Sequence, residues 1–77
     1  MKIIFTLTQI EKGVSYDIQV SHTQKIKDTL RILSENLPMP ENVASLQQVK
    51  EADTGRSIST DDTYEEARIY SGAQILI

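Results

Sequence analysis

One tripeptide of the sequence, Asp53-Thr54-Gly55, has the residue types of an aspartic protease site. In those enzymes a carboxylate on a tight turn shares a proton with a second carboxylate. That chemistry needs a strongly apolar strand before the turn and a glycine-rich flap, whereas Val49-Lys50-Glu51-Ala52 precedes the tripeptide here and no flap sequence is found. We therefore interpret the tripeptide as a polar turn and predict no catalytic residue.

The remaining candidate residues give little support for a metal site or a general base. His22 is the single histidine and the sequence has no cysteine, so the usual partners of a zinc site are missing. We expect His22 to lie exposed in the first turn of a helix. Four acids could offer oxygen ligands to a cation, but their spacing differs from an EF-hand loop and acids also favour the start of a helical turn. These acids are Asp61, Asp62, Glu65 and Glu66. We predict a solvated acidic edge and neither a metal nor a cofactor.

The charge balance argues against nucleic acid as a partner. Eight basic and eleven acidic residues give a net charge of -3, the wrong sign for a general nucleic-acid binder. Three tyrosines and one phenylalanine form no aromatic stripe on which bases could stack. Lys25, Lys27 and Arg31 make a basic patch that Asp28 and Glu35 dilute.

Location is predicted from apolar runs. None approaches the roughly 18–20 residues that span a bilayer, so we expect no insertion into a membrane. The first residues, which read Met-Lys-Ile-Ile-Phe-Thr-Leu-Thr-Gln, break their apolar run with polar side chains and do not resemble a signal peptide. We therefore expect a cytoplasmic protein.

A β-hairpin is predicted at the start of the chain. Residues 1–7 alternate with period two, and alternation resumes after the polar loop Glu11-Lys12-Gly13. The apolar side chains of the two runs are Met1, Ile3, Phe5 and Leu7, then Val14, Tyr16, Ile18 and Val20.

A helix follows the hairpin. Ser21 and Gln24 have the spacing of a capping box, which predicts that their side chains cap the helix. An apolar stripe at helical spacing then comprises Ile26, Leu30, Leu33 and Leu37. Pro38 and Pro40 end the helix, because proline cannot donate a backbone hydrogen bond.

The sequence of the second half of the chain predicts short strands, turns and one helical turn. We expect a strand within residues 44–51, a turn at 53–56 and a short strand at Ile58. A helical turn capped by an aspartate is predicted over 61–67, with Tyr64, Ala67 and Ile69 facing inward. A turn at Ser71-Gly72 leads to a strand over 74–77. The order predicts one α+β domain over residues 1–77: a mixed four- to five-stranded sheet wrapped on one long helix, with the first and last strands parallel at the centre.

This order resembles ubiquitin-like (β-grasp) domains. The two segments that carry the resemblance are Val20-Ser21-His22-Thr23-Gln24-Lys25-Ile26 and Tyr64-x-x-Ala67-x-Ile69-x-x-Gly72-x-x-Ile75-x-Ile77. Within that superfamily the chain looks most like the YukD/EsaB family, through Ile26-Lys27-Asp28-Thr29-Leu30 and the segment 67–77. The resemblance implies an accessory or regulatory, non-catalytic protein of the type VII (WXG100, ESX-like) secretion systems of Gram-positive bacteria, with secretion-machinery components as partners.

Conjugation to lysines is not expected. Conjugated ubiquitin-like proteins need a flexible tail ending in Gly-Gly, and the sequence given ends at Ile77 in the predicted last strand. The alternative interpretation is a ubiquitin-like modifier or a sulfur-carrier-type protein of another pathway.

A binding surface is predicted where alternation sends apolar side chains outward. Ile4 and Leu76 are expected side by side on the open face of the sheet, with Ile10 in the adjoining loop and Gln48 and Lys50 nearby. An exposed apolar patch marks an interaction site. Scattered surface apolar residues are the alternative, and a homodimer through the same face is also open.

Overall fold

The alternating residues at the start of the chain form the predicted hairpin. A computed structural model describes residues 1–77, except for the side chain of Glu41. Strand β1 is Lys2–Gln9 and β2 is Val14–Ser21; they pair antiparallel from Lys2↔Ser21 to Gln9↔Val14. Gly13 closes the loop with a φ of 64°, a conformation that glycine adopts without strain.

The remaining elements complete a mixed sheet around one helix. Helix α1 is Ile26–Asn36, a short 3-10 helix is Glu41–Ser45, and the later strands are β3 Gln48–Glu51, β4 Ser57–Ser59 and β5 Gln74–Leu76. The strand order is β2-β1-β5-β3-β4, and β1 and β5 are parallel neighbours at the centre, as predicted. No helix formed by the described residues has the length and apolar character needed to cross a bilayer.

The core lies between the sheet and α1. Alternation places the side chains of Ile3, Phe5 and Leu7 inward, and each is 2% exposed or less. The ring centroids of Phe5 and Tyr64 are 5.2 Å apart, a separation at which tilted aromatic rings attract. The other buried apolar residues are Val20, Ile26, Leu30, Val43, Val49, Ile58, Ala67, Ile69 and Ile75.

The start of α1 differs from the prediction. The helix begins at Ile26 after Lys25, and no side chain caps it. The amide of Ile26 instead donates to the carbonyl of Asp62 (3.0 Å), and that of Lys27 to the carbonyl of Thr60 (2.9 Å). The predicted capping box at Ser21 and Gln24 is therefore wrong, because backbone carbonyls distant in sequence satisfy these amides.

The strand expected over residues 44–51 is shorter than that interval. The 3-10 helix occupies 41–45 and brings Val43 into the core with 4% exposure, so pairing begins only at Gln48. Pro40 precedes the 3-10 helix, where a missing amide proton costs nothing. The turn at 53–56, the strand at Ile58 and the final strand lie as predicted.

A capping box exists, but at Thr63 and Glu66. The Thr63 amide donates to the Glu66 carboxylate (2.9 Å), and the Glu66 amide donates to the Thr63 hydroxyl oxygen (3.1 Å). The cap by an aspartate was therefore wrong, although Tyr64, Ala67 and Ile69 face inward as predicted. The spacing T-x-x-E carried this signal in the sequence.

Thr63→Ala is expected to lower the free energy of unfolding by about 1 kcal/mol, because it leaves the Glu66 amide without its acceptor. Urea unfolding followed by circular dichroism measures the change. Ser21→Ala is the matched control, since Ser21 caps no helix. A loss for Thr63→Ala no greater than that for Ser21→Ala would contradict the assigned cap.

Candidate protein-binding surface

The face of the sheet opposite α1 carries side chains of mixed polarity. Its middle is polar: the Thr6 hydroxyl donates to the Asp17 carboxylate (3.1 Å), and the Gln74 amide donates to the Thr8 hydroxyl (3.0 Å). The Thr8 and Ser15 hydroxyls also share a hydrogen bond of 2.9 Å. These contacts satisfy the polar groups within the chain, so the middle of the face offers little apolar area to a partner.

An apolar groove lies at one end of this face, next to the β1–β2 loop. Its volume is about 360 Å³. Four of the five predicted binding residues line it: Ile10, Gln48, Lys50 and Leu76. Leu46, Val49, Ser57 and Ile77 complete the lining. We call this site the Ile10–Leu76 groove.

Sheet pairing fixes the walls of the Ile10–Leu76 groove. Lys50 of β3 lies opposite Leu76 of β5 in the antiparallel register. The amide of Ile10 donates to the carbonyl of Ile77 (3.1 Å), which fixes the loop residue against the end of the last strand. Ile10 nevertheless remains 59% exposed. A solvent-exposed isoleucine held by its own backbone is well placed to contact a partner.

Ile4 is not part of this groove, and its predicted position beside Leu76 is wrong. The parallel register sets Leu76 next to Thr8, whereas the Ile4 carbonyl accepts the Gly72 amide at the other end of β1. Thr8 lies four residue steps along β1 from Ile4, a distance of about 13 Å at the usual rise. Polar Thr6 lies between them on the same face, so Ile4 (52% exposed) is a separate apolar residue.

The groove chemistry suits an amphipathic protein segment. Among the lining residues that the structure describes, Lys50 has the one charged side chain. Ile10 and Leu76 provide apolar area beside it. A partner with an apolar side chain next to a carboxylate would therefore bury apolar area and pair a charge at once.

His22 lies before α1, not in its first turn as predicted, and its side chain is 24% exposed. Its Nδ1 is 2.7 Å from the Met1 carbonyl, and its Nε2 is 4.0 Å from the Glu65 carboxylate. Its backbone carbonyl accepts the Glu65 amide (2.8 Å). This environment gives His22 a structural role that joins the start of β1 to the segment at 63–67.

Two of the four acids, Asp61 and Glu66, accept hydrogen bonds from different donors. Asp61 accepts a hydrogen bond from the Lys27 ammonium (2.9 Å), and that bond lowers the Asp61 pKa and raises the Lys27 pKa. The Glu66 pKa is lowered by the hydrogen bond from the Thr63 amide. Both carboxylates are therefore held in their charged forms by protein donors. The contact between Lys27 and Asp61 is solvent-exposed, so it adds little to stability.

The Asp53-Thr54-Gly55 segment forms the turn between β3 and β4, as interpreted from the sequence. The Thr54 hydroxyl donates to the Glu51 carboxylate (2.9 Å), and Gly55 has a φ of 70°. The Arg56 guanidinium bonds both the Glu51 carboxylate (3.2 Å) and the Ala67 carbonyl (2.8 Å). Asp53 itself is exposed, in contrast to the buried carboxylates of a protease dyad.

Leu46 and Ile77 were not predicted as groove residues. Leu46 lies before the start of β3. The alternation of side chains along β3 therefore does not predict which way the Leu46 side chain points. Ile77 follows the inward residue Ile75 with period two, which favoured the core. The structure leaves it half-buried between core and groove. A clear sequence signal existed for neither residue.

Comparison with solved structures identifies the fold. A designed protein based on ubiquitin matches with a TM-score of 0.74 at 20% identity, over 97% of this chain and 84% of that one. The C-terminal ubiquitin-like domain of mouse tubulin-specific chaperone e matches with a TM-score of 0.74 at 13% identity, over 99% and 84%. The fold is the ubiquitin-like β-grasp. The ubiquitin-like domain of Plasmodium falciparum Dsk2 also matches, with a TM-score of 0.70 at 13% identity over 99% and 97%.

Sequence comparison adds no closer relationship to this ubiquitin-like β-grasp chain. No family model matches it, and no curated protein matches it. At identities of 20% and below, the structural matches show the shared fold. Function therefore has to be argued from the surface of the chain itself.

Proposed function

We propose that this ubiquitin-like chain is a protein-binding module that acts through the Ile10–Leu76 groove. Its role is that of a non-catalytic, non-conjugated accessory protein of a bacterial type VII secretion system, in the cytoplasm. The groove and the fold support binding as the mode of action. The resemblance of residues 26–30 and 67–77 to the YukD/EsaB family supports the secretion system as the setting.

One observation carries the binding proposal. Ile10, Gln48, Lys50 and Leu76 come from three parts of the sequence, and the fold gathers them around one apolar groove. Ile10 lies in a loop where folding demands no apolar side chain, and its exposure of 59% leaves apolar area for a partner to bury.

The partner we propose is a component of the secretion machinery with an apolar side chain beside an acidic one. The apolar side chain packs between Ile10 and Leu76, and the carboxylate pairs with Lys50. Candidate partners by class are WXG100-type substrates and the FtsK/SpoIIIE-type ATPase of such systems.

Ile10→Asp is expected to weaken binding to this partner at least about tenfold, because it places a charge where an apolar side chain must dock. Isothermal titration calorimetry with the purified candidate partners measures the dissociation constant. Ile4→Asp is the matched control, since Ile4 is similarly exposed on the same face of the sheet but outside the groove. We expect the control to change the constant less than about twofold.

The two parts of the proposal fail separately. Equal effects of Ile10→Asp and Ile4→Asp would refute the groove as the binding site. Normal export of WXG100-type substrates from cells that lack the protein would refute the secretion role, even with an intact groove. A charge reversal, Lys50→Glu, adds a third readout: it should weaken a partner that bears a carboxylate and leave an uncharged one unaffected.

A further inference from the structure

The outer edge of the sheet at β2 is unusually open to pairing. All eight residues of β2 pair with β1 in one uninterrupted register, so the strand has no bulge. Its sequence, VSYDIQVS, contains no proline and no lysine, and Asp17 is its one charged residue. Proteins commonly protect edge strands with these devices, because an unprotected edge pairs with other strands.

The hydrogen bonds of β1 show which β2 groups face outward. The Ile4 and Thr8 carbonyls and the Thr6 amide all bond to the segment that contains β5. Successive residues of a strand direct their backbone groups to opposite sides, so the odd-numbered residues of β1 bond to β2. Through the register, these pair with the even-numbered residues of β2. The outward-facing backbone groups are therefore those of Ser15, Asp17 and Gln19.

The apolar side chains next to this edge are incompletely covered. Tyr16 and Ile18 point towards the helix side of the sheet, yet both remain half-buried, and Val14 is 37% exposed. On the same strand, Val20 is 6% exposed. The sheet therefore extends beyond the cover that α1 gives it, and a strand added at this edge would bury more of Tyr16 and Ile18.

We propose that the occupant of this edge is a second copy of the chain, joined by antiparallel β2–β2 pairing about a two-fold axis at Ile18. This register pairs Asp17 with Gln19 of the other copy, and Ile18 with its own equivalent. Two copies of one surface meet in such an interface, as two-fold dimers require. The surface is separate from the Ile10–Leu76 groove, so the dimer stands independently of the proposed function.

Charge repulsion and the length of the strand overlap favour the register with its axis at Ile18 over the alternatives. An axis at Asp17 would set two aspartates directly opposite each other, which is unfavourable. An axis at Tyr16 or Gln19 shortens the overlap of the two strands. The axis at Ile18 overlaps residues 15–21 and gives each Asp17 an uncharged hydrogen-bonding neighbour. Such a strand pair is smaller than the ~1,200 Å² of a stable interface, so we expect dissociation in the micromolar range or above.

Substitutions at Gln19 test the register, because adding a positive or a negative charge there should change the dissociation constant in opposite directions. Gln19→Lys sets a lysine opposite Asp17 twice per dimer and should tighten self-association about fivefold, whereas Gln19→Asp should weaken it by a similar factor. Sedimentation equilibrium from about 10 µM to 1 mM brackets that dissociation range. The controls Gln47→Lys and Gln47→Asp make the same charge changes on an exposed glutamine outside both β2 and the Ile10–Leu76 groove, and should leave the constant unaltered.

Amide hydrogen exchange gives a second measurement. The Asp17 and Gln19 amides should exchange more slowly as the protein concentration rises, while the Tyr16 and Ile18 amides, bonded to β1, stay protected throughout. A chain that is monomeric up to about 1 mM, or Asp17 and Gln19 amides unprotected in the dimer, would overturn the proposal. Self-association that responds to Ile10→Asp and not to the Gln19 variants would overturn it too, and would assign the contact to the Ile10–Leu76 groove.

Discussion

Phe5→Ala is expected to lower the free energy of unfolding by about 3–5 kcal/mol, the largest stability effect among the substitutions considered. Phe5 lies on the central strand β1, is 2% exposed, and packs its ring against Tyr64. Its removal loses buried apolar area, leaves a cavity and breaks the aromatic pair. A chain of this length has a total stability of about 4–12 kcal/mol, so the substitution removes about a quarter or more of it.

Urea unfolding followed by far-ultraviolet circular dichroism measures this loss. Ile4→Ala is the matched control on the neighbouring residue, which faces solvent with 52% exposure and should cost much less. Similar losses for Phe5→Ala and Ile4→Ala would contradict the assigned faces of β1.

Tyr64 is expected to make the domain sensitive to alkaline pH. Burial raises the pKa of Tyr64 to about 12 from 10.0, although the Thr29 hydroxyl partly opposes the shift. The folded chain therefore retains a proton that the unfolded chain releases. The associated stability is fully present below about pH 10 and is lost as the pH rises towards about 12, and the loss amounts to about 2–3 kcal/mol.

Tyr64→Phe isolates this contribution. Other groups titrate in the same range, but they are common to both proteins, so the difference between the two unfolding free energies reports Tyr64. We expect this difference to be constant up to about pH 10 and then to shift in favour of Tyr64→Phe. Parallel pH profiles for the two proteins would show that the Tyr64 hydroxyl ionises as freely in the folded chain as in the unfolded one.

Local patterns in the sequence predicted most of the fold. Period-two alternation identified β1 and β2, and the change to helical spacing at Ile26 located α1, because each pattern follows from which side chains one layer can bury. The central β1–β5 pair followed from the order of the elements. These features depend on a few neighbouring residues, so a single sequence contains them.

Two of the errors concern contacts between segments that are distant in sequence. The amides at the start of α1 bond to the carbonyls of Thr60 and Asp62, a contact that no local motif announces. The separation of Ile4 from Leu76 depends on the offset between two parallel strands, which the turn before β5 sets. The outward direction of both residues was predictable, but their distance along the sheet was not.

The residues of the candidate groove were also predicted only in part. Ile10 and Leu76 were identified because an apolar residue stood in a loop or at an outward position, and Gln48 and Lys50 were placed near them on the same face of the sheet. Leu46 and Ile77 were missed, since their directions depend on the 3-10 helix and on the end of β5. The residues of a binding surface that spans several strands can be identified only when the register of those strands is known.

The central pairing of β1 with β5 also bears on how the chain acquires its structure during synthesis. Gln74 and Thr8 share a hydrogen bond across 66 positions of sequence, and Ile75 packs into the same core as Phe5. Such long-range contacts slow folding, because a large loop must close before they form. β5 must therefore emerge from the ribosome before the sheet can close, and until then the hairpin and α1 lack the central strand that completes their core.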